Sequence, residues 1–334
     1  ATPIPPQSFP AYAGHAFRVT VGANAGDGIS VMADLEQDDY YELEEHARLR
    51  RLSLHLQDEG AYKVGADTEL GTPGATVYLD CALQLMSPSA DMQDALILVE
   101  VDRNGLIVQT FLLPLEPLLP KIEYSLVAVS REKAKTSFAQ FGTVSFSRGT
   151  RITMASGEQR PIEDIDVGDR VLTRDQGPQS VRWIGHSTVR ASGAFAPIVI
   201  KAGTLSNAHD LIVSPEHRIF IYQRTDRIGA GQPDILVKAR HLVNGDTVYV
   251  QRGGFIDYFQ ILFDRHHLIY AEGIAAESLL VDPRTQPALP KELKQEVTDL
   301  LRGHSTTRQH GMNVQRSLLE RPDALELLRA ASLR

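Results

Sequence analysis

Cysteine is nearly absent: the chain holds one, Cys81. A lone thiol excludes an internal disulfide and a cysteine-based zinc site. Its setting, TVYLDCALQLM, is an apolar run and predicts a buried structural thiol. Long hydrophobic runs are missing too. The longest, LIVQTFLLPLEPLLP, is broken by prolines and a glutamate, short of the ~20 apolar residues that span a bilayer. Positive charge is scarce, with a net charge of −8 and no Lys/Arg stripe, which argues against nucleic acid as a partner. The N-terminal ATPIPPQSFPAYAG has neither the basic nor the apolar region of a standard signal peptide. The expectation is a soluble protein, cytoplasmic or non-classically secreted, with no membrane span. There is no G-x-S-x-G elbow, P-loop, dinucleotide fingerprint or EF-hand loop, which removes the common hydrolase, nucleotide and calcium readings. No cofactor and no metal is expected.

What is present is β-rich. At 334 residues the chain is long enough for two domains, since single cores rarely grow past ~250 residues. Residues 1–14, rich in proline, predict an extended, poorly ordered leader. Over 15–130, short β-branched runs and Gly/Pro turns predict a sandwich-like β module. Within it DALILVEVD and NGLIVQTFLL flank an Arg-Asn-Gly turn as a hairpin, and RLRRLSLHLQ alternates as a half-exposed strand. Residues 131–144, containing REKAKTSFAQFG, read as a linker. Residues 145–282 are again mainly β, and 283–334 read as a helical tail. There Leu293, Val297, Leu300 and Leu301 share one face between Pro290 and Gly303, and RPDALELLRAASLR follows the same pattern.

One internal echo stands out. PIEDIDVGDRVLT and KARHLVNGDTVYV share the shape (I/L)-x-x-G-D-x-V, about 77 positions apart. In each, Gly-Asp gives a tight turn and the following valine re-enters a strand. The pair predicts a duplicated β subdomain with pseudo-twofold symmetry.

Three stretches could carry chemistry. TVSFSRGTRI holds Ser145 at a strand edge. LIVSPEHRIFIY sets Ser214 and His217 in a turn between strands, where a hydroxyl and an imidazole come close together. YFQILFDRHHLIYAEG carries Asp264, His266 and His267; adjacent strand residues point to opposite faces, so only one of the two histidines faces a given site.

Read in order, SFSRGTRI, IEDIDVGDRVLT, LIVSPEHRI, ARHLVNGDTV and FDRHHLIYAEG resemble the Hint family of hedgehog autoprocessing domains and inteins. The likeness is closest to bacterial members with DRHxxxxAEG near their end. It covers about 145–282. The resemblance implies a horseshoe-shaped all-β domain that cuts its own chain between Val144 and Ser145. The Ser145 side chain, in the position usually held by cysteine, would attack the Val144 carbonyl in an N-to-O acyl shift. His217 would protonate or hydrogen-bond the departing Ser145 nitrogen, and Ser214 would orient the bond. One of His266 and His267 would assist resolution of the ester. Asp264 is read as a base or orienting acid, or as the partner of Arg265 or Arg218 in a structural ion pair. The substrate implied is the chain's own N-terminal segment, with water or an external nucleophile as acyl acceptor.

Two departures from the family pattern bear on the reaction. Serine needs an activating base where a thiol is already partly ionised near neutral pH. Two origins fit it: a natural serine, or a cysteine replaced to hold the precursor uncut. Glu277 and Ser278 stand where splicing inteins end in His-Asn, so no asparagine is there to cyclise and cleavage without splicing is expected. The alternative expectation is a processing-inactive Hint scaffold that acts as a binding protein through its β-rich front half.

Overall fold

A computed structural model describes residues 7–57, 61–141, 144–224, 226, 228–281, 312–314, 319 and 324–332. They divide into two compact units, residues 1–140 and 141–334.

The first unit is built from β1 (Gln7–Ala13), β2 (Phe17–Val21), β3 (Tyr40–Leu43), β4 (Arg50–Leu56), β5 (Tyr62–Val64), β6 (Thr76–Met86), β7 (Met92–Val101), β8 (Ile107–Pro114) and β9 (Glu123–Ser130), followed by helix α1 (Arg131–Phe141). The strand order is β2-β3-β9-β6-β5-β4-β1-β8-β7, and β7 pairs again with β6. That second pairing closes β6-β5-β4-β1-β8-β7 into a ring, from which β9, β3 and β2 continue off β6 with β2 at the edge. The expected hairpin is β7–β8, with Leu98 opposite Phe111. Cys81 is fully buried in this core beside Leu83 and Leu85, and burial pushes its thiol up to about 12.

Two sequence expectations change here. The described part of the expected leader is strand β1, paired with β4 and β8, so prolines at the front of the chain do not keep it loose. The expected linker 131–144 contains α1 instead. Ser130 Oγ accepts from the Lys133 N–H at 3.1 Å, a side-chain cap on the first turn. Phe138 then anchors the helix, with its ring 4.8 Å from Phe9 and 5.3 Å from Tyr62. A charged first turn concealed an aromatic docking residue.

The second unit contains β10 (Phe146–Ser147), β11 (Arg151–Thr153), β12 (Gln159–Pro161), β13 (Arg170–Thr173), β14 (Gly177–Ser180), β15 (Trp183–Arg190), β16 (Ile198–Ile200), β17 (Leu211–Val213), β18 (Arg218–Tyr222), β19 (Asp234–Lys238), β20 (Val248–Val250), β21 (Phe255–Leu262), β22 (Leu268–Ala271) and β23 (Ile274–Glu277). One sheet runs β15-β21-β10-β17-β16-β20. The other runs β12-β11-β22-β23-β18-β19, with β13 also on β22.

The sequence echo is a structural repeat. Hairpin β11–β12 in the first half matches hairpin β18–β19 in the second, and each is followed by a 3-10 turn and a Gly-Asp turn. Ile165 and Val171, and their counterparts Leu242 and Val248, are all buried. Gly168 and Gly245 take positive φ of 96° and 81°, which favours glycine at both turns. The hydrogen bonds repeat as well. Thr150 N–H donates to the Ser147 carbonyl, as His217 N–H does to that of Ser214; Ile162 N–H donates to Thr150, as Ala239 N–H does to His217. His217 therefore stands where the other half has Thr150. Hairpin β22–β23 joins the halves, with Ile152 opposite Ala271 and Ile219 opposite Ala276.

In the tail, β24 (Met312–Asn313) lies parallel to β19, and α2 (Ala324–Ser332) follows. The tail is thus part strand. The helix expected between Pro290 and Gly303 lies outside the described residues.

Candidate functional site

The position of Ser145 follows from strand register. Phe146 in β10 pairs with Val213 of β17 on one side and Phe259 of β21 on the other, both antiparallel. One step back, Ser145 lies between Ser214 and Gln260. Its backbone N–H donates to Ser214 Oγ at 3.1 Å, and its carbonyl accepts from the Ser214 N–H at 2.9 Å. Gln260 Nε2 donates to Ser145 Oγ at 3.1 Å. Ser145 is buried at 3% exposure, so its hydroxyl meets protein groups in a low-dielectric setting.

The Ser-Pro-Glu-His turn brings His217 to the same place. Its Nδ1 is 3.1 Å from the Ser145 carbonyl, so this nitrogen carries the hydrogen, and its ring meets Phe146 edge-on at 4.3 Å. The imidazole is completely buried, which holds its pKa down to about 4 despite the hydrogen bond to Ser145, and it is neutral near pH 7. Sequence reasoning set His217 against the Ser145 nitrogen. In the structure the nitrogen's hydrogen goes to Ser214, and His217 holds the carbonyl oxygen of the same residue, three bonds away.

Charge collects behind the imidazole. Glu277 is buried between Arg218, whose Nη1 lies 2.9 Å from Oε2, and His266, whose Nε2 lies 3.6 Å from Oε1. Buried Glu216, next to His217 in the chain, pairs with Lys238 at 2.7 Å and with Arg240. Burial alone would raise the Glu216 carboxyl, but Lys238, Arg240 and Arg218 hold it down at about 2. Such pairs must be complete, because a buried charge that loses its partner is costly.

The two late histidines diverge, as adjacent residues should. His266 faces Glu277, while His267 Nδ1 binds Asp175 Oδ2 at 2.8 Å and its N–H binds Ser278 Oγ at 3.0 Å. Asp264 is not with them. It is half exposed and forms a two-pronged ion pair with Arg182, at 2.8 and 2.7 Å. The expected partners, Arg265 or Arg218, are replaced by a cation from just before β15, and Arg218 serves Glu277 instead. Sequence reasoning passed over Gln260 and Asp175. Gln260 lies in the strand run YFQILF ahead of Asp264, and only its register opposite Ser145 reveals it.

Residues 144–283 match the family model described as Hint domain. Three solved structures are similar: the gp41-1 intein (16% identity, 40% of this chain and 96% of that chain, TM-score 0.25), the Ssp DnaB mini-intein variant M86 (10%, 42% and 97%, TM-score 0.28) and the MchDnaB-1 intein (15%, 40% and 98%, TM-score 0.27). No curated protein matches the chain. The second unit of this chain carries, over residues 144–283, a Hint domain.

Proposed function

We propose that the chain is a self-cutting precursor, in which an acyl shift at Val144–Ser145 and cleavage of the resulting ester release residues 1–144 without splicing. The observation that carries this reading is the placement of Ser145, with its amide on Ser214, its carbonyl on His217 and its hydroxyl on Gln260.

Ser145 Oγ attacks the Val144 carbonyl carbon while its proton passes, by way of Ser214 Oγ, to the Ser145 nitrogen. The C–N bond breaks, Val144 becomes an ester on Oγ, and the Ser145 nitrogen takes up a proton to leave as an amine. Water then attacks the ester, giving a Val144 carboxylate and restoring the hydroxyl. Ser214 is the hydroxyl nearest the nitrogen and supplies its proton as the amide loses planarity; general-acid help of this kind contributes ~10²–10⁴-fold. His217 fixes the leaving peptide through its Nδ1–H. Gln260 donates to the attacking oxygen, which settles its rotamer and stabilises negative charge growing on it. Of the late histidines, His266 beside Glu277 is the one assigned to ester resolution, since His267 is committed to Asp175. Glu277 and Ser278 offer no asparagine to cyclise, which supports release over splicing.

The test is the mass of the purified full chain after incubation with hydroxylamine, alongside Ser145→Cys with dithiothreitol. A fragment ending at Val144 is expected. Full mass retained even in Ser145→Cys overturns the reading and leaves a β-rich binding scaffold.

A further inference from the structure

Val144, on the acyl side of the proposed cut, does not face solvent. It is 7% exposed and packs with Leu262, Leu279 and Val281, each 2% exposed or less, while Trp183 packs against the same cluster. Two segments far apart in sequence build this seat. Leu262 ends β21 and pairs with Trp183 at the start of β15. Leu279 and Val281 follow β23, and the Leu279 N–H donates to the Ile261 carbonyl at 2.9 Å. Gly185 leaves room for the indole: a Cβ there would lie 2.2 Å from the Trp183 ring. The cluster is separate from the polar groups around Ser145 and from the main core of the unit.

We infer that this pocket selects the residue before the cut, accepting a compact aliphatic side chain of about valine's size, and that its grip holds the Val144 carbonyl for Ser145. This rests on the cutting reading given above. Seating a polar side chain there strips it of water without a partner. A larger one forces the packed wall to shift, and a smaller one leaves a void. Because Leu279 and Val281 come from downstream of the site, the acyl residue stays docked through the shift and is freed only when the ester is cleaved.

Val144→Thr is the sharpest probe, since it keeps the shape and β-branching at the reacting carbonyl and adds only a hydroxyl. An apolar pocket discriminates such isosteres, or a single methylene, by ~10–200-fold. In the full chain, Val144→Thr and Val144→Leu are expected to release the 1–144 fragment at least about tenfold more slowly than valine, again on that scale. Adding Leu279→Ala is expected to restore the rate of Val144→Leu and not that of Val144→Thr. Valine-like rates in both single variants overturn the pocket. If the chain with valine does not cut at all, the cutting reading falls and the pocket is judged by Trp183, the one tryptophan of the chain. In a Ser145→Ala background, Val144→Ala and Val144→Asp are then expected to shift its emission to the red, and unchanged spectra overturn the pocket.

Discussion

Ser145 and Ser214 hold each other by two hydrogen bonds: the Ser145 amide donates to Ser214 Oγ at 3.1 Å, and the Ser214 amide donates to the Ser145 carbonyl at 2.9 Å. The backbone bond fixes the pairing of the two segments, and the side-chain bond sets a hydroxyl on the nitrogen that must leave. Ser214→Ala keeps the first and removes the second. Its fragment release, followed by mass, is expected to slow ~10²-fold or more, the usual loss when acid help goes. Ser214→Thr keeps the hydroxyl and is expected to recover most of the rate. Equal rates for alanine and threonine would exclude the hydroxyl from the reaction.

His217 is buried neutral, so its effect on stability runs against acid. Its folded pKa of about 4 lies below the ordinary 6.5. Between those values the unfolded chain binds the proton more readily, so stability is fully present above pH 6.5 and is lost as pH falls toward about 4. The loss is of order 3 kcal/mol at 1.36 kcal/mol per pKa unit. Urea unfolding of the uncut Ser145→Ala chain between pH 4 and 7.5 should show this slope. His217→Gln should flatten it, whereas a retained slope would assign the effect to another group.

Glu216 titrates in a separate window. Its carboxyl is held at about 2 against an ordinary 4.5, so its contribution is present above pH 4.5 and is lost as pH falls toward 2. Glu216→Gln leaves the partly buried Lys238 and Arg240 without this counter-charge, and is expected to cost several kcal/mol, about 3, even at pH 7. A loss below about 1 kcal/mol, the range of an exposed pair, would show that water reaches the cluster.

Gln260 touches the attacking oxygen only through its amide. Gln260→Ala should leave thermal stability nearly unchanged and slow release about tenfold or more, on the scale of a lost positioning contact. Gln260→Glu should make the rate newly pH-dependent, because the hydroxyl then faces an acceptor that titrates. A flat pH profile for that variant would place residue 260 away from the reacting oxygen.

Asp264 serves as a contrast. With its carboxylate on Arg182 and half exposed, Asp264→Asn should release the fragment at the unaltered rate and change stability by no more than about 1 kcal/mol. A large rate loss would return Asp264 to the site.

Much of the second unit was legible in the chain because its markers are local. Gly-Asp turns need particular backbone angles, and Ser-Pro-Glu-His is a turn whatever surrounds it, so the repeat and the pairing of Ser214 with His217 could be read from short strings. Whether the His217 nitrogen meets the amide or the carbonyl of Ser145 could not be, since a displacement within one residue is set by how β10 seats against β17. Gln260 was invisible for the same reason: it becomes a neighbour of Ser145 only through pairing between β10 and β21, more than a hundred residues apart. Helix α1 escaped because its charged first turn hides a docking phenylalanine whose partners, Phe9 and Tyr62, lie on distant strands.

By itself the sequence determined the β-rich character and the duplicated turn, because each depends on residue type and short spacing. Tertiary structure alone decided that His217 holds the Ser145 carbonyl, that Asp264 is spent on Arg182, and that Val144 is enclosed by Leu262, Leu279 and Val281. Those outcomes depend on strand register and on close packing between segments remote in the chain, and no local pattern encodes a distance across a core.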